Sequence, residues 1–183
     1  MIKLKSLIKE DFDNWKGGVW IHYTDVDYLK IREEDSQSEI SGDPSGIYMF
    51  PEKATKDLRF HFFKQKKYKM VIQITDNITI LDLSRITKKT IEDFGMDVEQ
   101  LKQVVHYPGG LIANKTSVSI PKAFWTILRR QQNNGVEFRK LLMSKGYDAV
   151  FDDVGAIHSK NEVQLCVFDP SNLQILKIVP NDL

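Results

Sequence analysis

Gly46-Ile47-Tyr48-Met49-Phe50-Pro51 and Gly146-Tyr147-Asp148-Ala149-Val150-Phe151, the latter running on to Glu162-Val163-Gln164-Leu165-Cys166-Val167-Phe168-Asp169-Pro170, are the stretches whose reading decides the fold. Each is a short run of β-branched, aromatic and other apolar residues bounded by Gly, Pro or Asp, the composition of a strand between turns. Val19 to Thr24 reads the same way. Tyr68 to Ile74 and Ile78 to Leu83 are two more strands, with Asp76-Asn77 as the turn signal between them. Leu173 to Val179 is the last. Between these runs the apolar spacing changes to a helical period. Glu52 to Lys64 is predicted helical, with Pro51 suited to its first turn, and 88–106 is helical with a break at Gly95. Pro121 to Gln132 and Val136 to Lys145 are helices separated by Asn133-Asn134-Gly135, and Gly146 ends the second. Residues 32–45, 152–161 and the stretch around Pro108-Gly109-Gly110 read as loops. The order does not alternate βαβα, so a doubly wound parallel sheet is not expected. The expected class is α+β, with a largely antiparallel sheet or split sandwich.

The chain has 183 residues, which suits one domain over 1–183, with a helical segment inside 1–18 carried by Ser6, Leu7, Ile8 and Phe12. Hydrophobic residues make up 42% and charged residues 28%, proportions that sustain a packed core. Lys+Arg 26 against Asp+Glu 25 leaves a net charge of +1, which excludes bulk basic attraction to nucleic acid. Cys166 is the single cysteine, so no internal disulfide is available and a reducing compartment is expected. Four histidines and one cysteine exclude a Cys/His zinc cage. No apolar run reaches bilayer length, and lysines interrupt the first ten residues, so neither a spanning segment nor a signal peptide is read and a cytoplasmic location is expected. Gly109-Gly110 lacks the context of a phosphate-binding loop.

Three segments carry polar or aromatic groups on strands: Ile21-His22-Tyr23-Thr24, Gly46–Pro51, and Gly146–Val150 followed by Glu162–Pro170. In their order and approximate spacing they resemble the ADP-ribosyltransferase superfamily, in its His–Tyr–Glu branch of bacterial toxins, poly(ADP-ribose) polymerases and phage-encoded proteins. The resemblance spans nearly the whole chain. It implies an ADP-ribosyltransferase-like split antiparallel β-sandwich with flanking helices. It also implies NAD as substrate, no metal, and transfer of ADP-ribose to a protein or nucleic-acid acceptor with release of nicotinamide. His22 would hydrogen-bond the ribose beside the nicotinamide, the backbone of Tyr23 would bind the nicotinamide amide, and Tyr48 would stack on its ring. Thr24 would support His22, and Phe50 would border the pocket or pack in the core. Tyr23 stands where the family has glycine.

The acidic position is divided. Counting back four residues from Phe168 reaches Gln164, and Glu162 lies two residues earlier, on the same side of a strand. Breaking the nicotinamide–ribose bond develops positive charge on the ribose, and a nearby anion stabilises it most in the transition state. Glutamine orients a hydroxyl but brings no charge. Glu162 and Gln164 therefore both stand as candidate catalytic residues with His22. A catalytically silent binding module of the same fold stands as the alternative. Bland readings stand beside the sharp ones: His22 as a structural strand residue, Tyr48 as sheet packing, Lys64–Lys69 as a solvated strand entry, Arg129-Arg130 as helix surface. Cys166, between Leu165 and Val167, reads as a buried inert thiol. The loop 152–161 is either an acceptor contact or a plain hairpin.

Overall fold

The structure is a computed structural model, and it describes Trp15 and residues 17–31, 42–52, 65–75, 77–106, 116–157 and 163–181. Its centre is a seven-stranded sheet in the order β4-β7-β8-β2-β1-β3-β9. The strands are β1 (Trp20–Thr24), β2 (Ile47–Pro51), β3 (Tyr68–Ile74), β4 (Ile80–Asp82), β7 (Ala149–Asp152), β8 (Gln164–Val167) and β9 (Leu173–Pro180). A two-residue ladder, β5 (Val105–His106) with β6 (Thr116–Ser117), stands apart. Four helices complete the described residues: α1 (Lys88–Asp93), α2 (Val98–Lys102), α3 (Ile120–Arg130) and α4 (Gly135–Ser144). The α+β class stands. All pairs in the large sheet are antiparallel except β4–β7, which is parallel, so the sheet is mixed but largely antiparallel. The predicted segment at 6–16, apart from Trp15, and the predicted helix at 52–64, apart from Glu52, lie outside the described residues.

β3 and β4 follow each other in sequence but do not pair. β3 lies between β1 and β9, and β4 at the far edge against β7. The turn signal at Asp76-Asn77 thus introduces a crossing rather than a hairpin. The helical run at 88–106 is broken where Gly95 takes φ +72°, a left-handed conformation that glycine adopts without steric cost. Thr87 caps α1, Asp97 caps α2 and Asn134 caps α4, each accepting a backbone N–H of the first turn.

Each face of the sheet carries a buried apolar cluster. On one, Leu81, Val150 and Cys166, with Tyr48 beside them, pack against Ile91, Leu101, Phe124, Trp125, Leu128, Phe138 and Leu142 of the helices. On the other, Trp20, Ile47, Met49, Met70, Ile72, Ala149, Phe151, Leu165 and Val167 form a second cluster together with Trp15. The strict alternation of these two sets along β2, β7 and β8 is the period of two expected of strands. Trp20 and Phe151 meet edge to face with centroids 6.4 Å apart. They sit on strands three steps apart, roughly 14 Å in a flat sheet. The sheet therefore curls around the second cluster, bringing β1 toward β7.

Candidate functional site

The three segments singled out in the sequence become the neighbouring strands β1, β2 and β8. β2 pairs with β8 at Ile47↔Val167, Tyr48↔Cys166 and Met49↔Leu165. β1 pairs with β2 only at Trp20↔Pro51 and Ile21↔Phe50, whereas with β3 it pairs along its whole length. Beyond Ile21 the two strands part, and His22 stands where they do. Its Nδ1 lies 2.8 Å from the Tyr48 main-chain oxygen. Nδ1 must carry the proton in that bond, which leaves the Nε2 lone pair as an acceptor. Nε2 has no hydrogen-bond partner among the described residues. Burial, and then the charge of Lys66, hold the imidazole below its ordinary pKa, against the raising effect of the Tyr48 bond. The ring is neutral at pH 7.

Lys66 is itself fixed beside this end of β1. Its Nζ lies 2.7 Å from Asp25 Oδ2, with 18% of its side chain exposed. Asp25 also accepts the Lys67 N–H at 3.4 Å. The basic run at 64–69 is therefore anchored at Lys66 rather than freely solvated.

Tyr48 turns toward the helices. Its hydroxyl donates to the Pro44 carbonyl at 2.7 Å, and the Cys166 thiol reaches the same oxygen at 3.8 Å. Burial, and then the neighbouring Cys166 and Asp43, push the Tyr48 phenol well above its usual range, so it stays a donor. Burial likewise pushes the Cys166 thiol far above a reactive pKa, in keeping with an inert thiol. The loop that carries Pro44 is held from outside. Asp43 accepts from Trp125 Nε1 at 3.3 Å and faces the Arg129 guanidinium at 3.6 Å, and Ser45 N donates to the Gly135 carbonyl. Arg129 is thus tied to this loop rather than to solvent alone. Gly46 has no room for a side chain: a Cβ there would stand 2.4 Å from Cys166 Sγ and 2.8 Å from the Val167 carbonyl.

Gln164 is 0% exposed. It pairs across the sheet with Asp152, also 0% exposed, and its Nε2 lies 3.4 Å from Asp152 Oδ2. Its Oε1 accepts nothing among the described residues. Asp152 accepts three backbone N–H groups as well, from Val154 and Ala156 at 3.1 Å and from Ile157 at 2.7 Å. One carboxylate therefore ties down the start of the loop after β7. Asp152, expected to open a loop that is either an acceptor contact or a plain hairpin, is instead the last residue of β7. The available signal was an acid ending an apolar strand just before Val154-Gly155-Ala156-Ile157, whose amides need an acceptor once buried.

The remaining candidates divide. Phe50 is buried at 4% exposure on the helical side and pairs with Ile21. Tyr23 and Thr24 are buried, and Thr24 Oγ1 accepts from Val26 N at 3.3 Å rather than serving His22. Glu162 lies outside the described residues, as do 158–161 of the predicted acceptor loop. Tyr48, Phe50 and Gln164 share the helical face by strand alternation, whereas His22 pairs with Met70 of the other cluster. The His22–Tyr48 bond ends on the Tyr48 main chain where β1 and β2 part, so it does not bring the imidazole to the Tyr48 ring on the other face. Comparison with protein-family models, with curated proteins and with solved structures found no match.

Proposed function

We propose that this chain binds NAD where β1 and β2 part and acts as a mono-ADP-ribosyltransferase on a macromolecular acceptor. The observation that carries the reading is the His22 Nδ1–Tyr48 carbonyl bond of 2.8 Å, which fixes a neutral imidazole with Nε2 held as an acceptor. Such a group accepts from a ribose hydroxyl without adding positive charge beside a ribose that is itself becoming cationic. Tyr48 serves this reading through its main-chain carbonyl, since its ring lies on the helical face, anchored at its hydroxyl. Lys66, held by Asp25 near His22, supplies a cation for the diphosphate. In the reaction the C1′–N bond breaks and nicotinamide leaves with the electron pair. The acceptor then forms the new bond to C1′ and gives up its proton. Glu162 is the candidate for the anion, because Gln164 carries no charge and its amide lies 3.4 Å from Asp152 Oδ2. The test is release of nicotinamide and transfer of label from NAD in host extracts. A folded chain that neither binds NAD nor releases nicotinamide overturns the reading.

One observation favours a second reading, a binding module of this fold without turnover. The residue at the expected glutamate position is an uncharged side chain, fully buried. That reading predicts NAD binding by calorimetry with no nicotinamide release. Release that disappears in both His22→Ala and Glu162→Ala excludes it.

A further inference from the structure

At one corner of the large sheet β1 ends, β3 begins and β9 ends. β1 and β3 pair as far as Thr24↔Tyr68, and β3 and β9 as far as Tyr68↔Pro180. Just beyond these pairs stand Lys66 and Lys67, with Asp25 following β1 on one side and Asn181 following β9 on the other. Lys67 N donates to Asp25 Oδ1 at 3.4 Å, and Asn181 N donates to the Lys67 carbonyl at 3.0 Å. Asn181 Nδ2 donates to the Lys66 carbonyl at 2.9 Å. Two short polar side chains thus take over the main chain where the ladder stops.

Lys66 is held at both ends. Asn181 holds its carbonyl, and Asp25 Oδ2 holds its Nζ at 2.7 Å. A lysine at a solvated strand entry keeps its rotamer freedom, and a partly exposed ion pair adds little stability. What the double hold does is fix where a cation stands. Burial first, and then the Lys66 charge, lower the His22 pKa, so the ammonium stands close to that imidazole. Lys67, exposed at the same corner, adds a second positive charge. In a dinucleotide the diphosphate is carried by the same ribose that carries the nicotinamide. A hydroxyl of that ribose at His22 Nε2 therefore brings the diphosphate within one sugar of the imidazole. The Asp25 carboxylate does not itself attract an anion. Its contribution is aim: a side chain already ordered loses less freedom when the ligand arrives.

On the reading of this site as an NAD site, we propose that Asp25 and Asn181 are positioning residues that hold Lys66 for the diphosphate. The site then selects ligands that carry a diphosphate over nicotinamide nucleosides that lack one. Lys66 makes the contact, as a charge-assisted hydrogen bond, and the other two act through it.

The experiment is titration calorimetry on the full chain with three probes, folding being verified by circular dichroism. The probes are NAD, ADP-ribose, which keeps the diphosphate without nicotinamide, and nicotinamide riboside, which lacks the diphosphate. Lys66→Ala is expected to weaken NAD and ADP-ribose about tenfold or more and to leave nicotinamide riboside unchanged. Asp25→Ala and Asn181→Ala are expected to weaken the same two probes about three- to tenfold, again sparing the riboside. In the Lys66→Ala background neither is expected to have a further effect. Weakening shared equally by all three probes would mark a general loss of structure and overturn the proposal. So would ADP-ribose binding that is unchanged or tighter in Asp25→Ala, or a loss that persists without Lys66. In those cases a wild type that binds NAD keeps the NAD reading, whereas a wild type that binds none of the probes removes both. If Asp25→Ala does not fold, Asp25→Asn decides, with the same pattern expected.

Discussion

Two junctions in the same sheet hold polar side chains, and they treat them oppositely. At β7–β8, Asp152 and Gln164 face each other fully buried, and the carboxylate is filled by three backbone amides and a side-chain amide. At β1–β2, His22 uses one ring nitrogen on the Tyr48 carbonyl and keeps the other. The first junction spends its carboxylate in building the loop after β7 and leaves over only the Gln164 Oε1, which is buried. The second leaves capacity over at a place where two strands separate. A polar residue in a strand is thus not one kind of object: an acceptor left over where solvent reaches it differs from one sealed in the sheet.

The hardest way to break this contrast is Asp152→Ala. It strips the acceptor from three backbone amides, and at about 1–3 kcal/mol for each buried group left unpaired the expected loss is on the order of 3 kcal/mol or more. A scanning-calorimetry midpoint lowered by roughly 10 °C is expected. An unchanged midpoint would mean the amides find other partners. Gln164→Glu comes next. It sets a second carboxyl about where an amide now lies 3.4 Å from Asp152. Like charges and burial raise the pKa of one of the pair, so a proton is held in the folded state. Stability is then lost as pH rises through that raised value and recovered on acidification, with a cost of about 1–3 kcal/mol at pH 7 in chemical denaturation. If instead the variant keeps its stability and releases nicotinamide faster, residue 164 faces the ribose and the contrast collapses.

Gly46→Ala tests the frame that carries Tyr48. The added carbon meets a sulfur at 2.4 Å and a carbonyl at 2.8 Å, so about 1–3 kcal/mol of destabilisation is expected from overpacking. Cys166→Ala restores only part of it, because the backbone contact remains. His22→Ala is expected to cost about 1 kcal/mol of stability or less while abolishing nicotinamide release, which sharpens the contrast from the other side. The smallest effect is one of pH. His22 titrates below its unfolded value of 6.5, so between those two pKa values the unfolded chain binds more protons than the folded one. Its contribution is fully present above pH 6.5 and is lost as pH falls toward the lowered value. Comparing wild type with His22→Ala by denaturation at neutral and mildly acid pH isolates it.

Much of this was legible in the chain. The runs at 20–24, 68–74 and 173–180 announce strands through β-branched and aromatic residues, and Gly95 and Gly146 mark helix ends because both take positive φ. What the sequence does not carry is which strand pairs with which. Nothing local to Ile78–Leu83 says that β4 leaves β3 and runs parallel to β7, since that choice depends on covering an apolar face shared by distant segments. His22, Tyr48 and Gln164 were found as a set, but their side chains divide between the two faces, because one residue of strand spacing decides the face. Asp152 was missed because a buried acceptor is defined by amides that only the folded loop brings to it.

The strand order has a consequence for how the molecule comes to exist. The middle of the sheet joins β2 to β8, Tyr48 to Cys166, and its edge joins β3 to β9, Tyr68 to Pro180. Neither join is available until residues 164–180 have left the ribosome. A nascent chain of this protein can pair β1 with β2 and β3 early, but the free edges of β2 and β3 wait for β8 and β9. Contacts of such sequence separation also set a slow folding rate. The arrival of β8 and β9 is what commits the sheet to its strand order.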